Sequence, residues 1–288
     1  MIRPHTKNSL TLYTLLCVCF TVFTTLPIEH ARGQLSSPQS YDACVIKNST
    51  FQAGEEMVYK LYYNWNFVWI PAGEVTFSVQ ETAQEYQLSA VGRTYSSYNK
   101  IFKVEDRYDS FVQKSSLLPS TSIRHIQEGG YRLYDKTTLH QQDGRAISKR
   151  GKTPEDLKIK EHQIEQCMHD VLSVIYYARN LDFDTFQEGD EFPVKIFLDE
   201  KTYPLQVKYK GKQSKKSIKG QGKYQTILFS PQLITGDTFK KGDEMNIWVT
   251  DDQNRMPVLI ESPLSVGSVK VVLKSYKGLK YNVTAKVK

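Results

Sequence analysis

The sequence predicts a mainly β protein: a large, strongly curved antiparallel sheet, half-barrel or barrel-like, with one principal α-helix packed against it. Three observations predict it. Apolar and polar residues alternate with period two along nearly the whole chain after residue 45, and one segment alone carries a helical stripe. No linker divides residues 45–288, so the strands share one sheet, and sheets of more than about ten strands curl or close.

The N-terminal residues stand apart from that fold. Arg3 and Lys7 precede the apolar run Ser9 to Leu26, Pro27 breaks it, and Ala31 and Gly33 are small residues two apart. This is the pattern of a secretory signal peptide over residues 1–33. A retained anchor is the other reading, but the run is Thr-rich, and no later stretch approaches the roughly 20 apolar residues of a spanning helix. The expected mature protein is therefore not membrane-spanning. Cys17 and Cys19 lie inside the run, behind Leu16 and Val18, which disfavours lipidation. Residues 34–44 read as a linker and 45–288 as one β-rich domain, with a two-lobed sheet divided near 155–185 as a variant.

The first strand has the densest aromatic content. In "MVYKLYYNWNFVWIPAG" the odd positions Met57, Tyr59, Leu61, Tyr63, Trp65, Phe67 and Trp69 are apolar or aromatic, while Lys60, Tyr62, Asn64 and Asn66 alternate with them. A helix would scatter both sets, so the stretch reads as one long strand. Tyr59, Tyr63, Trp65, Phe67 and Trp69 then share a face that is either core or the wall of a ligand site. "GEVTFSVQ" and "YQLSAVGR" continue a meander. "FKVEDRYDSFV", "STSIRHIQ" and "YRLYDKTTLHQ" follow, with hairpin turns at Glu128 to Gly130 and at Asp143-Gly144. In "CMHDVLSVIYYARNLDF" the residues Met168, Val171, Leu172, Ile175 and Ala178 form one helical stripe. Strands resume from "EFPVKIFLD" to the C-terminus.

Charge and cysteines narrow the setting. Removing three cations and one anion with residues 1–33 lowers the net charge from +7 to about +5. Much of the excess lies in Lys208, Lys210, Lys212, Lys215, Lys216, Lys219 and Lys223, with no acid among them. An anionic partner is one reading, and a solvated hairpin whose lysines guard an edge strand is the plainer one. The export signal argues against nucleic acid. Cys44 and Cys167 are the two cysteines left after the signal. In an exported chain they read most simply as a disulfide that stabilises by closing a loop of more than 100 residues, with two buried thiols as the alternative.

Chemistry is sparse. No nucleotide loop, nucleophile elbow, HExxH or paired CxxC occurs, and no cofactor is expected. His162 and His169 beside Glu161 and Glu165 do not make a convincing metal site, so none is assigned. His169, Asp170 and Ser173 lack a strained turn and oxyanion donors, and Asp170 reads as an early-turn helix acid. Asp251 and Asp252 sit in "DDQNR", which has the composition of a hairpin loop.

Seven short motifs carry a resemblance. They are "FQAGEEMVY" from Phe51, "AGEVTF" from Ala72, "DRYDSFV" from Asp106, "LLPSTS" from Leu117, "HDVLSVIYYAR" from His169, "IWVTDDQNRMPV" from Ile247 and "VGSV" from Val266. In this order they resemble the family named domain of unknown function 3108, and "DACVIKNSTFQAGE" with a later cysteine is similar to its Bacteroidetes members. The resemblance implies export from a Gram-negative cell and a β-rich fold, and it carries no catalytic residues.

The expected protein is thus a non-enzymatic component of the periplasm or cell envelope that binds a hydrophobic or lipid-like ligand. An assembly factor with a protein partner in the envelope is one alternative. The other is a glycan-active enzyme that stacks sugars on Trp65, Trp69 and Trp248 and uses Asp251, Asp252 or Glu74 as acid and base.

Overall fold

The computed structural model describes residues 44–65, 68–99, 102–233, 243–264 and 267–287. The expected signal peptide and almost all of the linker lie outside them. The N-terminal strands are β1 (Glu56–Trp65), β2 (Val68–Glu81), β3 (Glu85–Thr94), β4 (Glu105–Gln113), β5 (Pro119–Glu128), β6 (Tyr131–His140), β7 (Arg145–Gly151) and β8 (Lys158–Gln163), with a short helix α1 (Ser96–Asn99) after β3. Then come β9 (Met168–His169), α2 (Ser173–Arg179), β10 (Glu191–Leu198), β11 (Lys201–Ile218), β12 (Gly222–Pro231), β13 (Asn246–Thr250), β14 (Pro257–Pro263), β15 (Ser268–Lys277) and β16 (Lys286–Val287).

The sixteen strands of the described residues belong to one sheet, in the order β8 to β1, then β15 down to β9, with β16 beside β12. Two meanders are therefore joined through the antiparallel pair β1 and β15. The outermost strands, β8 and β9, are consecutive in sequence, so the curling sheet brings its two ends together. No ladder joins them among the described residues; side chains close the seam instead. Arg124 and Arg150 donate to Asp199 at 2.8 and 2.6 Å, and Ser148 and Lys160 donate to Glu200 at 2.9 and 2.6 Å. Beneath these contacts Leu139, Ala146, Ile164, Met168 and Phe197 form an apolar cluster.

Asp199 and Glu200 are the two residues of the hairpin between β10 and β11, at φ 50° and 63°. Two left-handed residues make the hairpin turn that matches strand twist, a conformation usually given to Asn or Gly. Here the turn accepts local strain and aims both carboxylates across the seam.

The alternation in β1 is as expected: Met57, Tyr59, Leu61 and Tyr63 are buried on the inner face. The chain reverses sooner than expected, however, because Trp65 pairs with Val68. The pairing of Trp65 with Val68 switches the inward parity, and a bulge opposite Leu61 and Tyr62 switches it back before Val75, Phe77 and Val79. Trp69 consequently pairs with Asn64 and lies on the face opposite Tyr63, which corrects the single-strand reading.

The helix is also shorter than its stripe predicts. Cys167 has φ 65°, and the Gln141 amide clamps the Met168 backbone, accepting from its N–H at 3.1 Å and donating to its carbonyl at 2.7 Å. Met168 and His169 are thereby held extended, parallel to β10. Asp170 then accepts from the backbone N–H groups of Leu172 and Ser173 at 2.8 and 2.9 Å and caps the turn leading into α2. The buried positions of this segment are Leu172, Ser173, Tyr176 and Arg179, so the stripe ends on a charge.

Arg179 is held by the other end of the chain. It makes a bidentate pair with Glu55 at 2.6 and 2.8 Å and donates twice to the Asn254 carbonyl at 3.1 and 3.0 Å. Phe51 and Tyr176 flank its guanidinium. This plug closes the end of the sheet where β1 begins. Beside it the expected disulfide joins Cys44 to Cys167 against Leu118.

Candidate functional site

The aromatic residues singled out in the sequence do not form one wall. Tyr59 is 2% exposed, donates to the Pro257 carbonyl at 2.9 Å and meets Phe77 edge-on. Tyr63 is buried with Ala72, Tyr98, Leu264 and Val269. Both are core, packed on their face by neighbouring side chains. The Trp65 side chain and Phe67 lie outside the described residues. Trp69 is half-buried on the outer face, with the Lys270 ammonium 4.5 Å from its ring centre.

Around Trp69 a different site takes shape. Tyr62, Lys270, Glu261 and Asn246 are successive partners across β1, β15, β14 and β13, so they form one outward row. The lysine-rich hairpin of β11 and β12 reaches this row. Lys219 lies 4.7 Å from the Tyr62 ring centre and Lys216 lies 3.5 Å from that of Trp248. The Trp248 indole N–H donates to Gln213 at 2.9 Å. Burial and the neighbouring Lys270 charge pull the Lys216 ammonium below its usual pKa, against the opposing pull of Glu261. Lys270 pairs with Glu261 at 2.9 Å, and Lys274 pairs with Glu74 at 2.6 Å. Lys60, Lys216, Lys219, Lys270 and Lys274 thus face only Glu74 and Glu261 in these pairings, which leaves the face basic.

The sheet end above this face is apolar. Val68 is 61% exposed and Ile70 is 37% exposed, on the side of the hairpin opposite Trp69. At this tip Val68 and Ile70 are exposed on one side and Trp69 is half-buried on the other, whereas β12 to β15 bury apolar residues on both faces. The sequence reasoning missed the outward site because it joined Trp69 to Tyr63. The signal available was Tyr62 among Lys60, Asn64 and Asn66, an aromatic on the polar side.

The other polar groupings are structural. Ser148, His162 and Glu200 converge, but His162 presents the same Nε2 to both partners, at 3.1 and 3.9 Å. A relay needs the second ring nitrogen on the carboxylate, and Ser148 is fully buried. His169 is buried, and its pKa is pushed down to about 3 by desolvation. Asp252 accepts from Thr250 and from the Asn254 N–H at 2.8 and 3.1 Å, while Asp251 pairs with Lys212; these are turn contacts. Asp106 is pushed up to about 8 by burial and by the adjacent Glu128 carboxylate. No cluster of three metal-ligating side chains occurs among the described residues. No helix among them is long and apolar enough to cross a membrane.

The profile of the family "Protein of unknown function (DUF3108)" matches residues 58–274. The chain belongs to this family. No curated protein matches it. Among solved structures, the DUF3108 chain is similar to a β-barrel-like protein of the domain of unknown function DUF1849 from Brucella abortus. That likeness covers 81% of this chain and 100% of the other at 10% identity, with a TM-score of 0.52, and it establishes a shared fold alone. A "putative lipoprotein" from Parabacteroides distasonis aligns over 80% of this chain and 100% of its own at 13% identity. Its TM-score of 0.31 is too low to establish a common fold.

Proposed function

We propose that this DUF3108 protein is an exported, non-enzymatic component of the cell envelope that binds a lipid or other apolar envelope component on the outside of its curled sheet. The observation that carries the reading is the hairpin tip, where Val68 and Ile70 are exposed on one side and Trp69 stands on the other. A disulfide supports an oxidising compartment. On the inner face of β1, read from the sequence as either core or a ligand wall, Tyr59 and Tyr63 are packed in the core. The glycan-enzyme reading loses support because Glu74, Asp251 and Asp252 are engaged in ion pairs and turn contacts. The assembly-factor reading loses support because the edge strand β8 carries Lys158, Lys160 and Glu161, charges that discourage strand addition.

Density-gradient flotation of the exported protein with phospholipid vesicles tests the proposal. The protein floats with the vesicles, and Val68→Ser/Ile70→Ser does not. Equal flotation of the two proteins, or none by the wild type, refutes it.

A further inference from the structure

The inference concerns the headgroup, and it rests on the membrane-facing reading of the tip. We infer that the outer row beside the tip, Lys216, Lys219 and Lys270 held over Trp248, Tyr62 and Trp69, is a docking surface for the anionic phosphate headgroups of a phospholipid bilayer.

Depth is the first argument. Val68 pairs with Trp65, and Tyr62 lies three residues back along β1. At about 3.3 Å per residue, the row of Tyr62 and Lys270 stands roughly 10 Å above the tip. Interfacial elements bury their apolar part about 5–10 Å into the boundary of headgroups and acyl chains. A tip inserted to that depth brings Lys270 and Lys219 to the level of the phosphates, with Lys216 behind them over the buried Trp248, which is level with Lys60 two residues further back.

The second argument is preorganisation. A free lysine loses much rotamer freedom on binding a ligand. Here ring faces at 4.5, 4.7 and 3.5 Å already restrain Lys270, Lys219 and Lys216, so less freedom remains to be lost. The attached charge is in surplus: Glu261 is the carboxylate paired with Lys270, and Lys216 feels Lys270 as a like charge. An incoming phosphate relieves that repulsion.

The third argument concerns the other ligands of an aromatic and basic face. Sugars and nucleobases are held by stacking on open ring faces. The faces of Tyr62, Trp69 and Trp248 already carry the protein's own ammonium groups. This arrangement offers charge outward and keeps the rings beneath it, as lysine and aromatic side chains do at membrane interfaces.

A basic residue close to an anionic surface contributes about five-fold in affinity, so three contribute on the order of a hundred-fold. The test measures partitioning of the exported protein onto phosphatidylcholine vesicles and onto vesicles with phosphatidylglycerol admixed, at low and high salt. The wild type prefers the anionic vesicles by that factor, and the preference shrinks as salt screens it. In Lys216→Gln/Lys219→Gln/Lys270→Gln, with an unchanged melting temperature, binding to anionic vesicles falls to the phosphatidylcholine level. A wild type that binds both vesicles equally, or a triple variant that keeps the preference, overturns the headgroup inference while leaving the tip reading intact. Failure to bind either vesicle removes the tip reading itself. Soluble glycerol phosphate that abolishes the anionic preference at low concentration also overturns the inference, because it identifies a free ligand in place of a surface.

Discussion

Replacing Arg179 by Met should destabilise the protein strongly. Arg179 and Glu55 are both fully buried, with side chains 2% and 0% exposed. The arginine makes two bonds to the carboxylate and two to the Asn254 carbonyl. Removing it leaves a buried carboxylate without its cation, which costs about 3–5 kcal/mol. In a domain of this size each kcal/mol lowers Tm by about 2–4 °C, so the expected drop is on the order of 6–20 °C. The partner substitution Glu55→Met should cost a similar amount. The double variant should be more stable than either single one, because an apolar pair of similar volume replaces a buried ion pair at little net cost. Urea denaturation of the four proteins measures this directly. If the single variants lose less than about 1 kcal/mol, or if the double loses their sum, the plug is not the coupled unit described here.

Three further outcomes follow from the same geometry. Asp106 has its folded-state pKa raised to about 8, so the native state holds a proton that the unfolded state releases, and stability falls as pH rises toward 8. His169 gives the opposite slope below its ordinary 6.5, so the clean window is from about 6.5 to 8. Urea melts across it should slope downward in the wild type and lie flat in Asp106→Asn. At the seam, Asp199→Asn tolerates the left-handed turn but removes the charge between Arg124 and Arg150, and chemical denaturation should register a loss of about 3 kcal/mol. Opening the disulfide by Cys44→Ser frees a loop with a sequence separation of 123, and the lost stability should approach roughly 5 kcal/mol by the chain-entropy model, measured against the oxidised protein.

Strands such as β2, β6 and β7 were legible because they bury one face and leave a period of two in the residues, whereas β12 to β15, buried on both faces, read as apolar runs. Trp69 was misplaced for a physical reason: the pairing of Trp65 with Val68 and the bulge before Val75 each shift the inward parity by one. Two shifts cancel, so the odd apolar run from Met57 to Trp69, resumed at Val75 and Phe77, conceals a hairpin. The helix was overextended because Met168 is in phase with Leu172 and Ile175, and only Gln141, distant in sequence, holds it in a strand. The pairing of Cys44 with Cys167 was readable from cysteine count and compartment. Glu55, Arg179, Asp199 and Glu200 were not, since their partners come from separate elements and no local pattern reports them. Arg179 alone left a trace, a charge seven residues past Leu172 on the helical stripe. The outward lysines were read as guards of an edge, and that reading holds where β11 pairs on one side only, beyond Lys208. What the sequence could not convey is that this hairpin carries Lys216 and Lys219 onto the face shared by Tyr62 and Trp248.

The claim that the tip enters a membrane can be tested at two residues of nearly equal exposure, Val68 at 61% and Ile159 at 65%. Each is replaced by cysteine in the disulfide-intact protein and labelled with an environment-sensitive fluorophore, and phospholipid vesicles are then added. A blue shift and gain in intensity at position 68, with no change at position 159 on β8, is the predicted result. No change at position 68, or the same change at both positions, would contradict it.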